Sequence, residues 1–329
     1  VQAIVVEEAG GPEALRLVEQ PDPWPGPGEV RARVAYAGVN FADVVMRSGG
    51  AMTPFPIVPG VEGSGVIDAV GPEVTGLAVG DRIAWAPVKQ ASSIGSYAEL
   101  AVVGTQQALP LPADVSLLDA ATLTLQGLTA HYLATEKVPL GPGVTVLVHA
   151  AAGGTGRLVV RFAKHLGATV LATVSTDAKA AVARAAGADH VIRYDETDFA
   201  KEARRLTDGR GVDYIVDGVV GTTFRGDLRC LADNGHVCVF GRAAGLSDPF
   251  NPMELFPRSL TVSGGSMTSY LRTREEVLRK ADELWQGLRE GWLDPDRHSV
   301  RPLADVATAH ELLEGRATTG KLVLEVGGD

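Results

Sequence analysis

The chain has 329 residues, of which 45% are hydrophobic and 21% charged, with a formal net charge of −10. That length accommodates about two domains with separate cores, and the acidic balance disfavours non-specific binding to nucleic acid, whose affinity comes mainly from neutralised phosphates. No uncharged apolar run reaches the roughly 18 residues of a membrane span, and no basic stretch precedes an apolar one at the start, so a cytoplasmic protein without a membrane partner is expected.

Residues 1 to about 120 read as β-rich and punctuated by glycine and proline. Ala3 to Glu7, Glu29 to Tyr36, Gly65 to Val70, Asp81 to Ala86 and Ser96 to Val103 are short strand candidates, separated by clusters such as Pro21 to Gly28. Strands at such intervals predict a compact, barrel-like domain. Asp114 to Leu133 then turns helical, with Leu117, Leu118, Ala121 and Leu125 on one apolar face.

Gly143 to Leu166 organises the rest. Val144 to Val148 is a β-branched apolar run that suits a strand buried on both faces. After Gly156 the period becomes helical, with Leu158, Val159, Phe162, Ala163 and Leu166 on one face and Arg157, Arg161, Lys164 and His165 on the other. The turn between them reads Ala150-x-x-Gly153-x-x-Gly156, with Gly154 added. Missing Cβ atoms let the backbone approach a pyrophosphate, and the helix start, Ala152 to Gly156, presents N–H groups and a positive dipole end to it. A tight turn alone would explain three glycines; the strand before and the helix after make this a dinucleotide fingerprint.

From there to about Gly265 strand and helix alternate. Thr169 to Val174, His190 to Tyr194, Val212 to Asp217, His236 to Phe240 and Leu260 to Ser263 are strands, with helices at Thr176 to Ala186, Thr197 to Thr207 and Thr223 to Leu231. Such alternation predicts a doubly wound parallel α/β sheet. Two further helices, Thr273 to Glu290 and Leu303 to Glu314, and a strand, Lys321 to Val326, have no place in a sheet already complete, so this tail is expected to return to the N-terminal domain. Cys230 and Cys238 have no metal-ligand spacing and read as buried structural thiols.

The chain resembles the medium-chain dehydrogenase/reductase superfamily, and within it the quinone oxidoreductase (zeta-crystallin-like) family. The resemblance spans essentially the whole length. It is carried by Ala37 to Asp43, Pro59 to Gly65, Gly80 to Ile83, Gln126 to Ala130, His149 to Gly156 and Gly315 to Lys321. It implies a Rossmann domain over 123–265 and a discontinuous GroES-like catalytic domain over 1–122 and 266–329. Zinc-dependent members carry a cysteine and a histidine where the similar loops here have Asn40 and Val61, an amide and an alkyl group that cannot supply thiolate and imidazole. With only two cysteines there is no four-cysteine zinc lobe either, and no metal is expected.

NAD-specific sites place an acid at the end of the second strand to bind the ribose 2′-hydroxyl. Here that strand ends in Val174-Ser175-Thr176, with Lys179 one helical turn on and Tyr194 at the end of the third strand. In the resembling family, lysine and tyrosine at these positions hold the 2′-phosphate, so NADPH is the expected cofactor, although an ordinary solvated lysine and a strand-end tyrosine are the plainer alternative. Asp177 is read into the first turn of the helix, where its charge suits the dipole.

By resemblance, Asn40, Asp43 and Thr129 lie beside the nicotinamide. Gly218, Val219, Phe240, Gly241 and Ala243 line strand ends under the cofactor, and Lys321 matches a position near it. Asp43 also suits a helix cap, Asn40 a turn and Lys321 a solvated surface. No general acid stands out. This favours acceptors that delocalise charge, a quinone first and an enone or enoyl C=C bond second, because a hydroquinone anion takes its proton from water whereas an alkoxide wants zinc or a placed acid. Where the family commonly has a tyrosine after the Ser-Gly turn, this chain has Ala51 and Met52, which widens the expected acceptor pocket; Thr155 replaces the family's usual valine. A non-catalytic NADPH-binding structural or RNA-binding protein is the rival of another class. Leu260 to Gly264 would form the sheet's edge, and resemblance implies a homodimer through it.

Overall fold

The computed structural model describes residues 1–50, 54–88 and 95–328. Ala51 and Met52 lie outside these. The chain divides into two compact units, Val1–Leu128 with Thr268–Asp329, and Thr129–Met267. The first division falls within a helix, a few residues beyond the expected 122/123 boundary.

The first unit opens with the antiparallel pair β1 (Gln2–Val5) and β2 (Arg16–Glu19). β3 (Glu29–Val39) runs directly into α1 (Phe41–Arg47), and is followed by β4 (Glu62–Val70), β5 (Arg82–Trp85), β6 (Leu100–Gly104) and β7 (Ala108–Pro110). β3 pairs antiparallel with both β4 and β6. Val30, Ala32 and Val34 of β3 pack with Ile67, Ile83, Trp85, Ala101 and Val103. A register shift between Val34 and Tyr36 then changes the parity, and Ala37 and Val39 join a second core with Ile4, Val6 and Tyr97. Burial against two cores hides the period-2 signal in this strand. α2 (Leu117–Tyr132) follows, and ends in one wide π turn over Leu133–Lys137.

In the second unit the order is β8 (Thr145–Val148), α3 (Gly154–His165), β9 (Thr169–Val174), α4 (Asp177–Ala185), β10 (His190–Arg193) and α5 (Phe199–Leu206). β11 (Val212–Asp217), α6 (Phe224–Cys230), β12 (Leu231–Val239) and β13 (Thr261–Gly264) complete it. The six strands form a parallel sheet in the order β10-β9-β8-β11-β12-β13. Sequence order reverses between β8 and β11, so the crevice for a ligand opens beyond the C-terminal ends of those strands. β12 starts earlier than expected, because Leu231 already pairs with Val212 before the ladder resumes at Tyr214 and His236.

One expectation for α3 fails. Arg157 is buried rather than outward-facing, because α3 is enclosed from its third residue on: Gly156, Arg157, Leu158, Val159 and Val160 are all buried, whereas Gly154 and Thr155 are not.

The tail supplies α7 (Arg274–Arg289), β14 (Arg297–Pro302), α8 (Val306–Glu314) and β15 (Lys321–Glu325). β15 pairs antiparallel with β3, Leu322 opposite Val39, and completes a seven-stranded sheet. Its partner β14 carries Arg297, His298 and Arg301 without alternation, which is why the sequence gives it no strand signature.

Candidate functional site: a bare helix start and a buried polar knot

Ala150 leaves β8 with φ +49, a left-handed conformation that glycine adopts more easily. A Cβ on Gly156 would meet the Ala150 carbonyl oxygen at 2.5 Å, so that glycine lets α3 pack onto the strand end. Gly153 is the N-cap of α3 and has no side chain to cap the first turn. As the first residues of α3, Gly154, Thr155 and Gly156 have no acceptor within the helix for their N–H groups. Ala152 is buried just before them.

The neighbouring strand ends converge on the same edge. Lys179 Nζ reaches Ser175 Oγ at 3.4 Å, and Thr176 Oγ1 caps α4 by accepting from the Lys179 N–H at 3.2 Å. Arg193 lies opposite Val174, and the Tyr194 N–H donates to the Val174 carbonyl at 3.2 Å, which sets the exposed Tyr194 beside Ser175. Asp177 occupies the first turn of α4 and also pairs with Arg193.

Beyond β11 and β12, the Ala243 N–H donates to Gly218 O at 3.0 Å and the Ala244 N–H to Val219 O at 2.9 Å. A Cβ on Gly218 would meet the Phe240 ring at 2.7 Å, and one on Gly241 the Gly218 carbonyl at 2.9 Å. These turns are therefore as closely packed as the glycine turn itself. Thr129, at the start of the second unit, is buried and donates to Met267 Sδ at 3.5 Å.

A buried brace underlies both turns. His149 Nδ1 meets Thr173 Oγ1 at 2.8 Å and its Nε2 meets Asp227 Oδ1 at 2.7 Å. Asp217 accepts from the Val219 and Val220 N–H groups at 2.7 and 3.1 Å and from Thr223 Oγ1 at 2.8 Å, which holds Val220 at φ +67. Burial pushes the Asp227 carboxyl up, and His149, which burial alone would lower, is raised by the adjacent Asp227.

The remaining predicted residues, Asn40, Asp43 and Lys321, belong to the first unit and are all buried. Lys321 is not solvated: its ammonium lies 2.5 Å from Glu62 Oε2 and 2.5 Å from Asn40 Oδ1. Asn40 Nδ2 donates to Glu62 Oε2 at 3.0 Å and to Gly38 O at 3.2 Å, while the Leu125 N–H donates to Glu62 Oε1 at 2.6 Å. Asp43 accepts from the N–H groups of Asn40, Gly60 and Val61 at 2.8, 3.2 and 3.0 Å, and from Tyr97 Oη at 3.1 Å. Burial lifts its carboxyl to about 6 against those bonds and the Lys321 charge.

Tyr97 belongs to a longer chain of donors. Arg47 Nη1 contacts His310 Nδ1 at 3.1 Å, and a guanidinium only donates, so Nδ1 accepts. The proton then sits on Nε2, which donates to Tyr97 Oη at 3.3 Å, and Tyr97 donates to Asp43. Burial and the Arg47 charge drive His310 down to about 3, so the ring is neutral. Arg47 is anchored by Glu314 at 2.9 and 3.0 Å and by the Gly10 carbonyl at 3.1 Å. Sequence reasoning missed Glu62, Tyr97, His310 and Arg47. Glu62 carried one signal, a charge set among the glycines of Pro59 to Gly65.

A family model described as an alcohol dehydrogenase GroES-like domain matches residues 26–113, and one described as a zinc-binding dehydrogenase matches 154–283. They define a dehydrogenase with a GroES-like part and a nucleotide-binding part. A 2-haloacrylate reductase of a Burkholderia species is 37% identical, covering 98% of each chain, and a quinone oxidoreductase of Pseudomonas aeruginosa is 38% identical, covering 96% of each. A mycobacterial protein solved as its NADPH complex superimposes with a TM-score of 0.94 at 41% identity, over 99% of this chain and 100% of that one. The chain belongs to the quinone oxidoreductase family of the medium-chain dehydrogenase/reductase superfamily.

Proposed function

We propose that this protein is an NADPH-dependent oxidoreductase that passes a hydride to a quinone. The observation that carries the reading is the bare start of α3 beside the Lys179–Ser175 pair at a strand end without an acid. The residues fit the cofactor: Gly153 to Gly156 would hold its pyrophosphate, Ser175, Lys179 and Tyr194 its 2′-phosphate, and Gly218, Val219, Phe240, Gly241, Ala243 and Thr129 its nicotinamide half. Bound there, NADPH supplies the hydride.

Asn40, Asp43 and Lys321 act by positioning. Their polar atoms are engaged with one another, with Glu62 and with the backbone, so they hold the fold of the first unit in place rather than deliver a proton. A hydroquinone anion, being weakly basic, takes its proton from water. We read the chemistry as zinc-independent: Asn40 and Val61 supply no thiolate or imidazole, and the Lys321 ammonium already neutralises Glu62 beside them.

The 2-haloacrylate reductase relative favours a second reading, reduction of an activated C=C bond. We also propose a homodimer through β13, since its outer edge is the end of the sheet and Met253 and Phe256 on the preceding turn are exposed. The cytoplasm is the compartment we assign, in keeping with two free thiols and no disulfide among the described residues. No helix of the described chain is long and apolar enough to cross a membrane.

The deciding experiment follows NADPH oxidation with a benzoquinone, an enone and a 2-haloacrylate side by side, with NADH as control and Lys179→Ala as variant. Faster turnover of the quinone, and a preference for NADPH that falls at least about tenfold in the variant, is expected. Faster turnover of the C=C substrates selects the second reading. NADPH binding without oxidation by any acceptor rejects both.

A further inference from the structure

β9 and β10 end side by side, Val174 opposite Arg193, so Ser175 to Lys179 and Arg193 to Glu196 leave from adjacent points. Asp177 is the acid nearest in sequence to the ribose-reading position. Its carboxylate is bonded to Arg193 Nη1. The same guanidinium takes Asp195 in a fork, Nε at 2.8 Å and Nη2 at 2.7 Å, and Glu196 at 3.0 Å. One arginine thus gathers three carboxylates at the place where Lys179 would meet a 2′-phosphate.

The ion pair with Asp177 does little for stability, since the Asp177 side chain is 97% exposed and water screens it. Its effect is on the local field. A 2′-phosphate carries nearly two negative charges and is repelled by every uncompensated carboxylate within about 10 Å, the screening length at 0.1 M salt. Lys179 alone cannot balance three of them.

We infer that Arg193 is a specificity-determining residue, which lets the site accept a 2′-phosphorylated ribose by holding Asp177, Asp195 and Glu196 in ion pairs. The inference rests on the NADPH reading above. It assigns the selectivity to a charge balance across two strand ends, in addition to any direct bond from Lys179.

The test is equilibrium binding of NADPH and NADH to wild type, Arg193→Gln, Asp177→Asn and the double variant, at low and high salt. Arg193→Gln is expected to lower the ratio of NADPH to NADH affinity by roughly three- to tenfold at low salt, chiefly through NADPH, and by less at high salt. Adding Asp177→Asn should restore part of the ratio, and Asp177→Asn alone should not lower it. The thermal midpoint of each variant separates folding from binding. A ratio unchanged in Arg193→Gln at low salt, or a loss that neither salt nor Asp177→Asn relieves, overturns the inference while leaving the NADPH reading intact. A wild type that does not prefer NADPH overturns the NADPH reading, and the inference with it.

Discussion

At the glycine turn of the second unit the groups on offer are backbone N–H donors, left uncapped by Gly153 and brought close to the strand by Gly156. In the first unit, Asn40, Asp43, Glu62 and Lys321 direct their hydrogen bonds at one another and at the backbone of Gly38, Gly60, Val61 and Leu125. In the proposed reading, the first arrangement is completed by the anion it binds. The second is complete already, so its charged residues govern shape and stability although they occupy the family's motif positions. A charged residue in a motif is therefore not by itself a reagent, and a glycine with no functional group can be the recognition element.

Substitutions that separate stability from binding test this contrast. Lys321→Met leaves the buried Glu62 carboxyl without its partner, and should cost about 3–5 kcal/mol in equilibrium denaturation. Glu62→Gln in the same chain should recover part of that loss, with NADPH affinity of the folded protein unchanged. A loss below about 1 kcal/mol would mean that water, not Lys321, compensates Glu62.

Gly156→Val pushes side-chain atoms into the Ala150 carbonyl and displaces the helix start. NADPH affinity should drop by about 100-fold, or roughly 2.7 kcal/mol, in a titration of the folded variant. Retained affinity would show that the close packing of α3 on the strand is dispensable for recognition.

In wild type the smallest effect lies in the pH dependence of the knot, where two larger ones oppose each other. Asp43 has a folded pKa of about 6 against an ordinary 3.8, so the native state binds the extra proton and stability falls as pH rises from about 4 to 6. His310 has a folded pKa of about 3 against 6.5, so the unfolded state binds the extra proton and stability rises over that window. The two slopes, each about 1.4 kcal/mol per pH unit, oppose one another. In wild type they largely cancel. His310→Gln should unmask the fall and Asp43→Asn the rise, in denaturation curves taken between pH 4 and 6.5. Parallel curves for all three proteins would refute the assignment.

The nucleotide-binding unit was legible because its signals are local. β8 is an apolar run, α3 has helical period, and the turn between them carries its glycines within a few residues. Thr169–Val174 and Val212–Asp217 fall where the sequence puts them. The first unit was less legible for two reasons. β2, β7 and β14 are short or polar and owe their pairing to strands elsewhere in the chain. The line from Arg47 through His310 and Tyr97 to Asp43 joins residues far apart in sequence, which no spacing rule connects. Lys321 and Arg157 mislead in the same way, since burial of a charge depends on partners supplied by tertiary structure.

The two cysteines bear on how such an enzyme survives its own substrates. Quinones and activated alkenes are electrophiles that alkylate thiolates, and the thiolate rather than the thiol is the reactive form. Cys230 and Cys238 are both fully buried, and burial raises the pKa of each. With acceptors of the proposed kind, the sulfur atoms are doubly protected, shut away from the electrophile and held as thiols, so neither cysteine is the exposed thiolate that such an acceptor would alkylate.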